Sequence, residues 1–160
     1  MKLFRAALPS LRTLSWTAPC TRGLVLLDNI NWAQLIDLHL RCNLSIENCL
    51  SVIYHSALLR HCHLETICVD EVVPSDLSIK PLIRLQSLQM DTNISFVPLL
   101  QALTLPALDS LTLSATAPQA RFTRSTSFSL LNLLRRSHSP LRSLTLNNTR
   151  NPRRNSRTRA

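Results

Sequence analysis

Residues 35–45 read Leu-Ile-Asp-Leu-His-Leu-Arg-Cys-Asn-Leu-Ser, with leucine at positions 1, 4 and 6 and asparagine at position 9 of the stretch. The apolar frame recurs along the chain, and its copies start at Leu11, Leu35, Leu59, Leu85, Leu108 and Leu141. The starts lie 24, 24, 26, 23 and 33 residues apart. A period of this length predicts a solenoid, in which each repeat supplies one strand and one return segment to a shared core.

The spacing inside each copy predicts a strand with one buried and one solvent-exposed face. Positions 4 and 6 are apolar and have the period of two that places side chains on the same face of a strand. Positions 5 and 7 then face the other way, and they are polar in every copy: Ser15, His39, His63, Gln89, Thr112 and Thr145, followed by Thr17, Arg41, Glu65, Asp91, Ser114 and Asn147. A sheet covered on both faces would be apolar throughout. We therefore expect one face of this sheet to be open to solvent.

The segments between strands carry helix signals. Apolar periodicity predicts helices near residues 45–57, 95–104 and 126–138, with Ser45 and Ser95 as N-caps of the first two. In the third helix we expect Phe128, Leu131 and Leu134 to form the buried face. Asn43 and Asn93 are expected to be buried, where they would hydrogen-bond the backbone of the turn. Residues 70–81 contain two prolines and should form an irregular return.

Composition limits the possible functions. The single glycine, Gly23, excludes phosphate-binding loops and nucleotide-binding turns, which need several glycines. Residues 1–109 have a net charge of −1, whereas residues 110–160 carry 10 arginines and no acid. We predict a repeat domain over residues 1–146 and a disordered Arg-rich tail over residues 147–160. No apolar run is long enough to span a membrane.

The histidines and cysteines suggest a metal site only superficially. His61, Cys62 and His63 are consecutive, and strand alternation turns Cys62 towards the core and both histidines outwards. The five cysteines lack the regular spacing of a disulfide framework, which indicates a reducing compartment. We predict no metal site, no cofactor and no catalytic residues. His39 and His63 should be neighbours about 5 Å apart across the sheet.

The N-terminal residues allow two interpretations. Residues 1–27 contain Lys2, Arg5, Arg12 and Arg22 without an acid, as mitochondrial presequences do. The alternative, which we favour, is that Leu11–Trp16 is the first strand and that the protein is cytoplasmic or nuclear. Both ends of the array lack a capping segment that would cover the core. Trp16 should therefore be more exposed than Leu38, and the strand at Leu141–Leu146 should fray before the middle strands.

The repeats resemble the leucine-rich-repeat region of F-box/leucine-rich-repeat proteins, particularly the divergent set of basidiomycete fungi. The stretches that carry the resemblance are LIDLHLRCNLSIENCLSVIYHSALLRHCHLETI (35–67), LQALTLPALDSLTLS (100–114) and LLRRSHSPLRSLTL (133–146). The resemblance implies an α/β leucine-rich-repeat solenoid, with a curved parallel sheet of about six strands and the returns on the convex side. In that family an F-box docks on the adaptor of a ubiquitin ligase, and the repeats hold the substrate. The ten residues before the first strand leave no room for an F-box, so we expect a truncated relative or a stand-alone repeat module.

These observations predict a non-enzymatic module that binds an unknown protein partner on the strand-lined face. The partner-binding residues are expected at positions 5 and 7 of the middle strands: His39, Arg41, His63, Glu65, Gln89 and Asp91. At position 7 we expect Arg41 to pair with Glu65, and Glu65 beside Asp91 to be a mildly destabilising contact of like charges. The alternative is a basic binder of nucleic acid or an anionic surface, acting through residues 121–159 by contacts to phosphates.

Overall fold

The computed structural model describes residues 10–17, 30–67 and 81–148 of the chain, except for the side chains of Thr66 and Gln119. In chain order these ranges contain strand β1 (Thr13–Thr17), a 3-10 turn (Trp32–Gln34), β2 (Asp37–Leu44), helix α1 (Ile46–His55), β3 (His61–Ile67), β4 (Ser87–Thr92), α2 (Val97–Ala102), β5 (Ser110–Ala115), a 3-10 turn (Pro118–Ala120), α3 (Arg124–Ser137) and β6 (Ser143–Asn148).

The strands form one six-stranded parallel sheet in the order β1-β2-β3-β4-β5-β6, so neighbours along the chain are neighbours in the sheet. The predicted α/β class is thereby confirmed, and each strand begins two residues after its predicted leucine start. The register also follows the repeat frame. Leu38 of β2 pairs with Leu14 of β1 on one side and with Cys62 of β3 on the other, which are the same positions of their copies.

The hydrophobic core lies on the buried face of the sheet. Position 4 forms one column of aligned residues and position 6 a second: Leu14, Leu38, Cys62, Leu88, Leu111 and Leu144, then Trp16, Leu40, Leu64, Met90, Leu113 and Leu146. In the four middle strands both columns are buried in one cluster with the apolar residues of the helices. This burial is the main stabilising term, at roughly 25 cal/mol for each Å² of apolar surface removed from water.

The predicted helices are confirmed. Helices α1 and α2 are shorter than predicted, whereas α3 begins two residues earlier and ends one residue earlier. Ser45 is the N-cap of α1, where its hydroxyl accepts a hydrogen bond from the Asn48 N–H at 3.0 Å. Helix α3 begins at Arg124 because Thr123 forms a capping box with Thr126. Ser95 is placed one residue too early to cap α2: the N-cap is Phe96, although the Ser95 hydroxyl still accepts from the Val97 N–H at 3.3 Å.

The predicted inner face of α3 is wrong for Phe128 and Leu131, whereas Leu134 is partly buried and packs against the core. Phe128 and Leu131 are 65% and 58% exposed, and the helix instead buries Thr126, Ser129, Leu130, Leu133 and Ser137. The small hydroxyl residues on this face make specific contacts. The Ser137 hydroxyl accepts from the Leu105 N–H at 2.9 Å, which ties the helix to the strand entry that follows α2. The spacing of apolar residues alone did not predict this buried face, because it includes polar residues that make such contacts.

The asparagines of the repeat are also placed differently from the prediction. Asn43 is exposed and Asn93 is half-buried. In β2 the alternation of side chains continues to Leu44, so Cys42, the residue before the asparagine, is buried and Asn43 points outwards. In β4 that residue is Thr92. Its hydroxyl donates to the Ile67 carbonyl and accepts from the Ile94 N–H, both at 3.0 Å. Thr92 thus makes hydrogen bonds to the backbone of the turn of the kind that we expected from the asparagine.

The two edges of the sheet are less covered than its centre. Leu144 and Leu146 of β6 are each 45% exposed, and Trp16 is more exposed than Leu38, as predicted. Strand β6 continues to Asn148, and the rest of the tail lies outside the described residues. The same is true of most of residues 1–27 and of residues 70–80 in the irregular return predicted over residues 70–81. Within the described ranges, no helix combines the length and hydropathy needed for a membrane crossing.

Candidate functional site

The face of the sheet opposite the core carries three aligned polar columns. They are position 3 (Thr13, Asp37, His61, Ser87, Ser110 and Ser143), position 5 (Ser15, His39, His63, Gln89, Thr112 and Thr145) and position 7 (Thr17, Arg41, Glu65, Asp91, Ser114 and Asn147). The position-7 column is interrupted between Glu65 and Asp91, because the register of β3 and β4 shifts after the Leu64–Met90 pair. Because positions 3, 5 and 7 lie within the strand of every copy and point away from the core, the fold concentrates polar side chains on one surface. We call it the open face.

Two imidazoles are stacked at the centre of the open face. His39 and His63 are register partners on β2 and β3, and their ring centroids lie 4.3 Å apart with the planes inclined by 2°. Parallel strands about 4.8 Å apart hold equivalent side chains at nearly this spacing. The prediction that these histidines are neighbours is confirmed.

Two carboxylates approach the imidazoles from the adjacent column. Glu65 Oε1 lies 2.8 Å from His39 Nε2 and 3.6 Å from His63 Nε2, and Asp91 Oδ2 lies 3.3 Å from His63 Nε2. His63 is thus flanked by two acids. Glu65 and Asp91, which we expected to repel each other as direct neighbours, each have a contact to His63 instead.

Arg41 contacts the second oxygen of Glu65. Its Nε lies 3.3 Å from Glu65 Oε2, whereas the imidazoles face Oε1. The expected Arg41–Glu65 pair is therefore present. With the Arg41 side chain 64% exposed, the pair contributes about 0–1 kcal/mol to stability, but it fixes the direction in which Oε1 points. We call His39, Arg41, His63, Glu65 and Asp91 the central cluster.

A second, looser group lies in the position-3 column. The Thr13 hydroxyl donates to Asp37 Oδ2 at 3.2 Å, and His61 Nε2 lies 4.0 Å from Asp37 Oδ1. A shallow depression of about 280 Å³ runs between this column and position 5 across the first four strands, and Gln89 lines it. The alternation that predicted positions 5 and 7 applies equally to position 3, so Asp37 and His61 could have been predicted too.

The central cluster contains the one group in the described ranges whose atoms converge as metal ligands do. One atom each from His39, His63 and Glu65 lie within 4.8 Å of one another. The three cysteines in the described ranges are on the other side of the sheet or in α1: Cys42, Cys49 and Cys62 are buried free thiols. Burial raises the pKa of Cys62 to about 12 and also raises the pKa of Cys42, so both remain protonated near neutral pH.

Two of the C-terminal arginines contact other elements of the fold. Arg136 donates to the carbonyls of Leu100 and Leu103 at the end of α2, and Arg142 Nε lies 3.3 Å from Asp109 Oδ1. Arg121, Arg124 and Arg135 are exposed. The arginines of the tail lie outside the described residues.

Comparisons with known proteins give no family for the chain: no family model, no curated protein and no solved structure matches it.

Proposed function

We propose that the chain is a leucine-rich-repeat solenoid that binds a protein partner on the open face and catalyses no reaction. The observation that carries the proposal is the central cluster, a set of charged and aromatic polar groups gathered at the middle of a sheet that the opposite face stabilises. Residues that contribute little to the core and converge on an accessible surface are suited to recognition.

The charges of the open face favour a basic partner segment. With neutral histidines, its three columns contain the carboxylates of Asp37, Glu65 and Asp91 against the single guanidinium of Arg41. Complementary charge speeds encounter and disfavours partners of the same sign. By its resemblance to the repeats of F-box proteins, the module would hold the substrate of a ubiquitin ligase, and a lysine-rich segment would suit both the charge and that role.

The spacing of the cluster supports binding more than catalysis. Its side chains are distributed over three adjacent strands of an open surface, where water competes for every charge and electrostatic effects are weak. A partner that covered the cluster would remove this water and strengthen the same contacts.

The test is capture of partners by the full chain, followed by mass spectrometry, with two matched substitutions. Glu65→Lys reverses a charge in the central cluster, whereas Glu47→Lys reverses the charge of an exposed residue of α1 on the helical side. We expect Glu65→Lys to lose the captured partners and Glu47→Lys to keep them. Equal capture by both variants would contradict binding on the open face.

A third variant tests the alternative of a basic tail. Replacement of Arg153, Arg154, Arg157 and Arg159 by serine removes charge from the tail without touching the sheet. Loss of binding in this variant alone, together with a steep dependence on salt, would favour a phosphate-binding tail.

A further inference from the structure

We propose that His39, His63 and Glu65 bind one divalent transition-metal ion of the zinc type. The carrying observation is that Nε2 of both imidazoles faces the same carboxylate oxygen, Glu65 Oε1, at 2.8 and 3.6 Å. The sequence suggested two histidines without a third ligand, and the third ligand comes from the neighbouring column. The inference does not depend on the proposed partner binding.

The separations fit ligands that share one ion. Nitrogen and oxygen ligands lie about 2.0–2.1 Å from zinc, so two ligands at angles of about 90–120° are roughly 2.9–3.6 Å apart. The distances from Glu65 Oε1 to Nε2 of His39 and of His63, 2.8 and 3.6 Å, lie close to the ends of this range. All three ligand atoms are within 4.8 Å of one another. The two imidazole planes are parallel to within 2°, and the lone pair of each Nε2 lies in its own ring plane, so both rings must rotate until their planes meet at the ion. The side chains are only half-buried, which leaves room for that rotation.

The backbone holds the ligands before the ion arrives. His39 and His63 are register partners, and Glu65 follows His63 by two residues on the same face of β3. Ligands on paired strands lose less freedom on binding than ligands on loops. The Arg41 contact to Glu65 Oε2 leaves Oε1 directed at the imidazoles, which is the kind of support that residues around a metal site give to its ligands.

The ligand set and the local charge indicate the class of ion. Two imidazoles and one carboxylate suit zinc and related borderline metals, whereas magnesium and calcium prefer oxygen ligands only. Asp91 lies 3.3 Å from His63 and adds a second negative charge beside the site, which offsets Arg41. Three protein ligands leave a fourth position for water or for a side chain of a bound molecule.

The buried thiols are poor competitors for the ion. Cys62 is 3% exposed, and its side chain lies on the core face of β3, opposite the two histidines and Glu65. Cys20 and Cys68 belong to the undescribed parts of the chain, so the experiment must separate sulfur ligands from nitrogen and oxygen ligands by a spectroscopic signal.

The experiment is calorimetric titration of the metal-free full chain with zinc chloride alone. We expect one ion per chain, and at least about a 10-fold loss of affinity in each of His39→Gln, His63→Gln and Glu65→Gln, because each removes a direct ligand. The matched controls are His61→Gln, on the same face outside the group, and Glu47→Gln on α1. Both should bind as the parent does, and magnesium should not replace zinc.

Cobalt absorption gives a second readout. A site of nitrogen and oxygen ligands shows the ligand-field bands of Co²⁺ without a thiolate charge-transfer band, and Glu65→Gln should abolish those bands. Circular dichroism of each variant establishes that it is folded, and Glu65→Gln preserves the shape of the side chain. Unchanged affinity in the three ligand variants, a thiolate band, or no binding of zinc would each overturn the proposal, whatever the outcome of the partner test.

Discussion

Leu111 and Leu144 occupy the same position of successive repeats and differ in how well the structure covers them. They are register partners on β5 and β6, but Leu111 is 0% exposed and Leu144 is 45% exposed. Substitution of each leucine by alanine removes the same atoms from the same motif position. The pair therefore isolates the contribution of burial from that of the repeat sequence.

The expected losses follow from the burial. Leu→Ala removes about three carbon groups, which are worth about 0.8 kcal/mol each when fully buried, or roughly 2.4 kcal/mol. A cavity at Leu111 adds to this, so the total loss in the free energy of unfolding should be about 3–4 kcal/mol. At Leu144 about half of the transfer term is lost and no closed cavity forms, so about 1 kcal/mol is expected.

Urea titration followed by circular dichroism measures the two losses. A difference of about 2 kcal/mol corresponds to a shift of roughly 1 M in the midpoint for an m-value of about 2 kcal/mol per M. The m-values of both variants should equal that of the parent, which would show that each unfolds as one unit. Equal midpoints for Leu111→Ala and Leu144→Ala would refute the assignment of β5 to the core and β6 to the edge.

Three further predictions test other features. His39→Ala and Gln89→Ala should change the free energy of unfolding by only about 0.5 kcal/mol in urea titration, because both lie on the open face; a loss as large as that of Leu111→Ala would contradict the assignment of faces. His138→Gly should stabilise by about 0.5–1 kcal/mol, because His138 ends α3 at φ 48°, and His138→Ala is the control without this gain. Below pH 9.0 the buried thiol of Cys62 has no effect on pH dependence. As pH rises from 9.0 towards its folded-state pKa of about 12, the unfolded chain releases the proton first and stability falls, less steeply in Cys62→Ala; equal slopes would contradict the raised pKa.

The strands and their order could be predicted because the repeat frame determines both. Apolar residues at positions 4 and 6 identify the buried face, and repetition makes each strand the partner of the next. The sequence was less informative where a helix has two possible apolar stripes. In α3 the stripe of Phe128 and Leu131 and the stripe of Leu130 and Leu133 have the same period. The Ser137–Leu105 hydrogen bond, which joins residues distant in sequence, accompanies burial of the second stripe.

The candidate site was predicted in its composition but not in its contacts. The alternation of side chains along a strand places His39, His63, Glu65 and Asp91 on one face. Which of them are in contact depends on their rotamers. The sequence suggested contacts along each column, histidine to histidine and acid to arginine. The structure adds contacts between columns, because a long side chain at position 7 can turn back towards position 5 of its own and the neighbouring strand.

The two faces of the sheet separate stability from recognition. An acid in the position-7 column is adjacent in sequence to a buried apolar residue, yet its charge stays on the solvent side and its replacement leaves no cavity in the core. Glu65 and Asp91 can therefore stand close to each other, at a modest cost in repulsion, because the buried columns supply the stability. That repulsion falls when a cation enters between the acids. A metal ion or a basic side chain would supply such a charge, which makes the central cluster the part of this surface where a positively charged ligand gains most.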